Sequence, residues 1–310
     1  MSQRGENALI AWLRQRFPAD AARVPVGIGD DAAVVRFGNA LIAITTDMLL
    51  DGVHFDTREH SLEQIGRKAI ACSLSDCAAM GCTPVAATTS IALPAVMSLS
   101  EVQRLYEGMG QMADRFDCPL VGGDTTSWPG RLAIDVALFG EPMSTRGPIL
   151  RSGASPGDTI YVSGPLGGSI LGRHLSFTPR LDLARRLVDE PELNAMMDLS
   201  DGLSMDLHRL CQASGFGAEL ETTLLEAAIS DAARQRSAVT GRAPLDHALN
   251  DGEDFELLLT AGPGLPAQSL GLIPVGRITE AAPAGPTRMR LRHPDGHLSP
   301  VEPRGYEHFK

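Results

Sequence analysis

The chain is 310 residues long, 43 % hydrophobic, with a formal net charge of −11 at pH 7. That length suits two cores rather than one, and that apolar content suits folding rather than disorder. The acidic balance argues against a nucleic-acid binder, which carries a basic face, and no apolar run approaches the roughly 18 residues of a membrane span.

The N-terminal stretch MSQRGENALIAWLRQRF reads as an amphipathic helix with charges throughout. It lacks the apolar region and small-residue cleavage site of a signal peptide, so the expected compartment is the cytoplasm. Val34–Val35 and Leu41–Thr46 read as strands joined through Gly38-Asn39. Ser61 opens a helix: SLEQ is a capping box, with Gln64 three residues after the cap, and Gly81 ends it. A strand Thr88–Leu93 stops at Pro94, a helix Ser100–Arg115 follows, and Cys118–Val121 and Leu132–Phe139 read as further strands. This α+β order makes residues 1–142 an N-terminal sandwich domain. The Pro-, Gly- and Ser-rich EPMSTRGPILRSGASPGD reads as a linker, with a second α+β domain over residues 151–310. That domain opens with a strand Thr159–Ser163. It has helices near Ser169–Leu175, Leu181–Val188 and Gly202–Ala213, then strands at Phe255–Thr260 and Pro274–Ile278.

The five cysteines, Cys72, Cys77, Cys82, Cys118 and Cys211, match no zinc spacing and read as small buried residues. Lys68 and Lys310 are the only lysines, and no Gly-Lys dipeptide occurs, so a Walker A loop is excluded. The protein-kinase motifs are missing too. Phosphates would have to be neutralised by metal ions, arginines and backbone N–H groups.

Carboxylates stand at strand ends and glycine turns: GIGDDAAVV (Asp30, Asp31), ITTDMLLDGVHF (Asp47, Asp51, His54), SLSDCAAMG (Asp76), VGGDTTS (Asp124), MMDLSDGL (Asp198, Asp201) and NDGEDFELL (Asp251, Glu253, Asp254, Glu256). Clustered oxygen donors suit hard cations such as Mg²⁺ better than zinc or copper. Asp76 falls on the apolar stripe formed by Leu62, Ile65, Ala69 and Cys72. A carboxylate there needs a metal or a buried ion-pair partner, and metal is the reading preferred. Thr45 and Asp47 share one strand face and Thr46 takes the other; their oxygens could share a metal, though a strand-end Asp also serves in turns. Ser200 or Asp201 would cap the helix reaching Ala213, where phosphate could dock. VSGPLGGS is either a phosphate cradle or a tight turn. His54, in a strand-like GVHF, could hold a substrate phosphate or hydroxyl.

Taken in order, GIGDDAAVV, TTDMLLDGVHF, RKAIACSLSDCAAMGCTP, VGGDTTS, RSGASPGD, DLSDGLSMDL, GEDFELLLT and GYEHF resemble the thiamine-monophosphate kinase family of the AIR-synthetase-like (PurM-like) superfamily. The likeness runs from residue 27 to 309. It implies a two-domain PurM-like fold whose N-terminal domains pair into a barrel across a homodimer. It implies phosphoryl transfer from ATP to thiamine monophosphate, with several Mg²⁺ ions held by Asp30, Thr45, Thr46, Asp47, Asp76, Asp124, Asp198 and Asp201. Tyr106, Gly122, Gly123, Arg151 and Ser200 would contact ATP. His54, Glu253 and a C-terminal aromatic, Tyr306 rather than Phe309, would contact thiamine monophosphate. One departure is visible: the family usually has Gly-Gly before Glu-Asp, where this chain has Asn250-Asp251-Gly252.

The acceptor phosphate is already ionised, so this chemistry needs positioning and charge neutralisation rather than a catalytic base. Related activities fit less well. A selenophosphate synthetase needs a reactive residue near the N-terminus, where the first cysteine here is Cys72. A carbamoyl dehydratase needs a C-terminal cysteine, where this chain ends HFK. AIR synthetase and a non-catalytic nucleotide-binding protein remain as alternatives.

Overall fold

The computed structural model describes residues 5–280 and 288–306, so Phe309 lies outside the described residues. The first half holds α1 (Glu6–Arg16), β1 (Ala33–Phe37), β2 (Ala40–Leu50), α2 (Leu62–Ala79), β3 (Cys82–Pro94), α3 (Leu99–Arg115), β4 (Leu120–Trp128) and β5 (Ala133–Pro142). The second half begins with β6 (Thr159–Val162), α4 (Arg173–Ser176), α5 (Leu181–Leu187), β7 (Leu193–Asp198), α6 (Leu203–Ser214) and β8 (Gly217–Glu221). It continues with α7 (Thr222–Leu225), α8 (Asp231–Thr240), α9 (Pro244–Asn250), β9 (Leu257–Ala261), α10 (Ala267–Leu270), β10 (Ile273–Thr279), β11 (Met289–Arg292) and β12 (Leu298–Pro300). The first sheet has the order β1-β2-β5-β3-β4 and the second β12-β11-β8-β10-β6-β9-β7. Both are mixed: β3–β4 and β8–β11 are the parallel pairs in otherwise antiparallel ladders. The expected two-part α+β architecture is therefore present.

Helix α2 lies between the halves. Its start is the expected capping box: the Ser61 hydroxyl accepts from the Gln64 amide at 3.2 Å and the Gln64 side chain accepts from the Ser61 amide at 3.0 Å. One side of α2 packs on β2, β3 and β5, and the other on α4, α5 and β7. A helix covered on all sides must be apolar nearly all round. Accordingly Ile70, Ala71, Leu74, Cys77 and Ala78 are as buried as the stripe expected from periodicity. One core is continuous across α2, from the first sheet to Leu175, Leu187, Met196, Leu257 and Leu259 of the second half; α6 and the far face of the second sheet enclose another.

Several local expectations are corrected. Helix α3 starts at Leu99 rather than Ser100, capped by Ser98 paired with Glu101. Gly122-Gly123-Asp124 is not a turn but part of the long strand β4. Gly123 is required there because a Cβ would stand 1.8 Å from the Thr89 carbonyl oxygen. GVHF forms a tight turn between Asp51 and Phe55 rather than a strand. The segment between β5 and β6 forms no helix or strand, yet it is stitched down: the Met143 amide donates to Gly81 and the Ile149 amide to Met80. All five cysteines are buried free thiols.

The contact between α2 and α3 is set by two glycines. A Cβ on Gly66 would stand 2.0 Å from the Leu105 carbonyl oxygen, and one on Gly108 2.0 Å from that of Glu63. Alanine inside a helix is normally better than glycine by about 1 kcal/mol. Here the sign reverses, because the backbones would have to separate. Gly66→Ala and Gly108→Ala should each destabilise the protein by about 2 kcal/mol or more in urea melts. A gain in stability from either would show that the helices do not touch at these residues.

Candidate active site

From Lys68 to Ala79, Asp76 is the one residue of α2 that is not fully buried. At this opening three carboxylates converge. Asp31 comes from the turn before β1, Asp76 from α2 and Asp198 from the end of β7, with ligand oxygens all within 4.8 Å of one another. Asp47, on the inward face of β2, adjoins them. Asp76, Asp47 and Asp198 each accept from a hydroxyl: Thr45, Ser73 at 2.7 Å and Ser75 at 2.7 Å, respectively. None of the three has an ion-pair partner among the described residues, so the buried arginine pair considered for Asp76 is not formed. Asp31 is paired with Arg151 at 2.6 Å, and its other oxygen is buried with no hydrogen-bond partner among the described residues.

This arrangement is electrostatically costly. Two ionised carboxylates at this separation repel by roughly 3–4 kcal/mol at an effective dielectric of about 20. Burial, then the neighbouring acids, pushes Asp76 well above the ordinary carboxylate range, although the Thr45 hydroxyl opposes the shift. Asp198 is raised well above that range by burial and Asp31, against the Ser75 hydroxyl. Asp47 is pushed up to about 6 by burial, against Ser73 and with help from Asp135 and Asp31. Asp30 reaches about 6 through burial and Asp31, despite Arg151. Burial works against the Arg151 guanidinium, yet Asp31 and Asp30 hold its pKa above the usual value. An all-oxygen donor set, one orphaned buried oxygen and too few cations make a group that could hold a hard cation. The residues present fit Mg²⁺.

The ligand set implied by the resemblance names Asp30 and not Asp31; the trio contains Asp31, and beside it Asp30 accepts from the backbone amide of Arg151 at 3.2 Å. Both residues lie in a turn ahead of β1, where strand alternation cannot tell which side chain points inward. The serines of S-L-S-D carry a clearer signal, since hydroxyls inside a fully buried helix need acceptors. Thr46 points to the outer sheet face and donates to Asp135 at 2.7 Å, away from the trio. Tyr106 meets the Thr89 hydroxyl at 3.2 Å, and Thr89 is paired with Gly123 in the β3–β4 ladder. Tyr106, Gly122, Gly123 and Asp124 thus form a second group, with Asp124 exposed on β4 and Tyr106 also lining an open hollow of about 470 Å³ along the outer side of α3.

Asp201 bonds to Arg209, and its amide and that of Gly202 both donate at 3.0 Å to the buried Asp206. Neither Ser200 nor Asp201 caps α6: its N-cap is Gly202, without a side-chain bond. The C-terminal segment reaches this point, where the Tyr306 amide donates to the Asp201 carbonyl at 3.2 Å. His54 accepts from the Leu50 amide through Nδ1 at 3.0 Å. Glu253 stands on a left-handed stretch, with φ 71° at Gly252, 55° at Glu253 and 49° at Phe255. The glycine loop VSGPLGGS is a turn whose amides are already used: Gly167 donates to Asp254 at 2.9 Å and Gly168 to Asp251 at 3.0 Å. Asp251 also accepts from His247 at 2.9 Å and pairs with Arg236 at 3.2 Å. The carboxylate that departs from the usual glycine therefore ties α8, α9 and this loop together.

The fold and site define an AIR synthase related protein: the N-terminal domain model of that family matches residues 29–141 and its C-terminal domain model residues 165–265. The chain is 40 % identical to a thiamine-monophosphate kinase of Rhodopirellula baltica, over 98 % of this chain and 97 % of the relative. It is 33 % identical to one from Aquifex aeolicus, over 100 % and 99 %. Among solved structures, AaThiL complexed with AMPPCP and TMP superposes with a TM-score of 0.84 at 32 % identity, covering 98 % of this chain and 97 % of that one. The HypE–HypF complex, at 17 % identity and a TM-score of 0.75, shares the fold alone. The chain belongs to the thiamine-monophosphate kinase family, with its two-domain PurM-like fold.

If repulsion dominates this cluster, neutralising one member stabilises the metal-free protein. Asp76→Asn should raise Tm in EDTA by a few degrees, the shift expected of about 1 kcal/mol in a chain of this size. The rise has a pH signature. Acids whose folded pKa lies above 3.8, such as Asp47 at about 6, hold protons in the folded state that the unfolded chain has released, so stability falls as pH rises through that window. The gain from Asp76→Asn should be larger at about pH 8 than at about pH 5. A lower Tm for Asp76→Asn at both pH values would mean that this carboxylate is a net stabiliser, not a strained one.

Proposed function

We propose that this chain transfers the γ-phosphoryl group of ATP to thiamine monophosphate by direct in-line displacement, giving ADP and thiamine diphosphate, with several Mg²⁺ ions bound. The observation that carries this reading is the buried Asp31–Asp76–Asp198 trio, in a chain 40 % identical to a thiamine-monophosphate kinase along 98 % of its length. The likeness to a complex of AMPPCP and TMP, at a TM-score of 0.84, supports both substrates.

Asp30, Thr45, Thr46, Asp47, Asp76, Asp124, Asp198 and Asp201, joined by Asp31, are the residues that would hold the ions. Bound there, Mg²⁺ supplies positive charge against the facing phosphates of donor and acceptor. Tyr106, Gly122, Gly123, Arg151 and Ser200 bind ATP, and Tyr106 lines an open hollow along α3. His54, Glu253 and Tyr306 bind thiamine monophosphate. An ionised oxygen of the acceptor phosphate attacks the γ-phosphorus. The new P–O bond forms as the bond to the β–γ bridging oxygen breaks, and ADP leaves. No proton has to be removed from the attacking oxygen, so no side chain serves as general base.

In this reading residues 1–142 form the nucleotide-, metal- and dimer-forming domain and residues 151–310 the second domain of a cytoplasmic homodimer. Support for the dimer comes from the outer face of the first sheet, where Met48, Leu50, Val85 and Trp128 are exposed, and from the open edge of β4. Among the described residues no helix is long and apolar enough to cross a membrane.

A coupled ADP-release assay tests the reaction. Release should depend on both thiamine monophosphate and Mg²⁺, and stop in excess EDTA. Full activity in EDTA, or ATP turnover indifferent to the acceptor, would overturn the proposal. Direct transfer predicts intersecting initial-rate patterns and no radiolabel from [γ-³²P]ATP left on the protein; a trapped phosphoenzyme or ping-pong kinetics would contradict it. His54→Ala should raise KM for thiamine monophosphate more than it lowers kcat.

A further inference from the structure

Lys68 is the one lysine among the described residues, and its side chain is fully buried on α2. Burying an ammonium costs several kcal/mol before partners compensate, and an apolar residue of similar volume would often be as stable or better. Lys68 has two partners. Its Nζ donates to the His54 carbonyl at 2.7 Å and to Glu253 Oε1 at 2.5 Å. The first partner belongs to the turn after β2 in the first half of the chain, the second to the segment before β9 in the second half.

The Glu253 backbone is held independently of this ammonium. Its amide donates to the Ser200 carbonyl at 2.7 Å, and its carbonyl accepts from the Ser169 hydroxyl at 2.7 Å. The Phe255 amide donates to Leu199 at 2.8 Å, and the Phe255 ring stacks on Phe177 at 4.1 Å. Left-handed φ angles at Glu253 and Phe255 are strained for residues with a side chain, and these contacts are what maintain them. They set where the Glu253 Cα stands. Among the described residues only Lys68 fixes where its carboxylate points, and that side chain remains 26 % exposed. Lys68 and Asp76 are eight residues apart on one helix, about 12 Å along its axis. The carboxylate trio therefore sits at one end of this span and the Lys68 bridge at the other.

We propose that Lys68 is a positioning residue for the acceptor. Its ammonium locks the Glu253 carboxylate to the His54 turn across the two halves of the chain, so the wall that meets thiamine monophosphate is assembled before the substrate arrives. This rests on the reading of His54 and Glu253 as acceptor-binding residues.

The test is a double-mutant cycle on KM for thiamine monophosphate, with ATP kinetics as control. Lys68→Met and Glu253→Gln should each raise that KM about tenfold or more, while kcat and KM for ATP change less than about threefold. The double variant should be within about twofold of the poorer single one, because Lys68 acts through Glu253. Full multiplication of the two effects would overturn the proposal. So would an impaired Glu253→Gln enzyme beside a normal Lys68→Met enzyme. An unaltered KM in Glu253→Gln would remove the acceptor-site reading itself, and this proposal with it. If Lys68→Met alone does not fold, the double variant, which leaves neither charge buried, is compared with Glu253→Gln. Agreement within about twofold supports the bridge, and a further loss of about tenfold contradicts it.

Discussion

The structure depends on a helix that is buried on all sides yet carries charge. Helix α2 has a sheet on one flank and the second half of the chain on the other, so nearly every side chain on it must be apolar. Past the first turn and a half, which carries Glu63, Gln64 and Arg67, the exceptions are Lys68, Ser73, Ser75 and Asp76, and each reaches a residue on another element. Ser73 and Ser75 orient Asp47 and Asp198, Asp76 accepts from the Thr45 hydroxyl, and Lys68 donates to Glu253. Carboxylates from β2, α2 and β7 are thereby brought together where water screens them poorly. Arg151 balances only the Asp30–Asp31 side of the group. The remaining repulsion is what a divalent cation would relieve, so the strain and the proposed chemistry have one physical origin.

Much of this was legible in the sequence. The capping box at Ser61 and the return of Asp76 to the apolar stripe required only helix geometry. Asp47 followed from strand alternation. The stripe itself was drawn too narrow, because a one-sided pattern cannot reveal that a second layer covers the far side. Strands β7 and β8 went unread: LNAMMD has no β-branched residue, and GAELE carries two acids. Glu219 is tolerated there because Arg277 and Arg292 pair with it at 2.7 and 2.8 Å. Helices α8 and α9 were missed as well, since short polar helices depend on tertiary contacts that local sequence does not display.

Glycines and acids in turns were the least readable features. Gly122 and Gly123 look like a turn and are a strand, because only a glycine lets β4 approach the Thr89 carbonyl. The glycines of VSGPLGGS look like a phosphate cradle, yet their amides are taken by Asp251 and Asp254. Partners 83 and 87 residues away in the chain decided that outcome. Asp30 and Asp31 are neighbours with different duties for the same reason: a turn, not a periodic element, sets their directions.

Arg151 meets only Asp31 of the trio, so a divalent cation, rather than shared protons, would balance Asp31, Asp76 and Asp198 together. Anomalous diffraction from crystals grown with Mn²⁺ and a non-hydrolysable ATP analogue tests it directly. The expected result is at least one Mn²⁺ peak within coordination distance of Asp31, Asp76 and Asp198, still present when crystals are grown near neutral pH. Well-ordered nucleotide with no anomalous peak at these three residues, their carboxylates instead bonded to one another through protons, would contradict it.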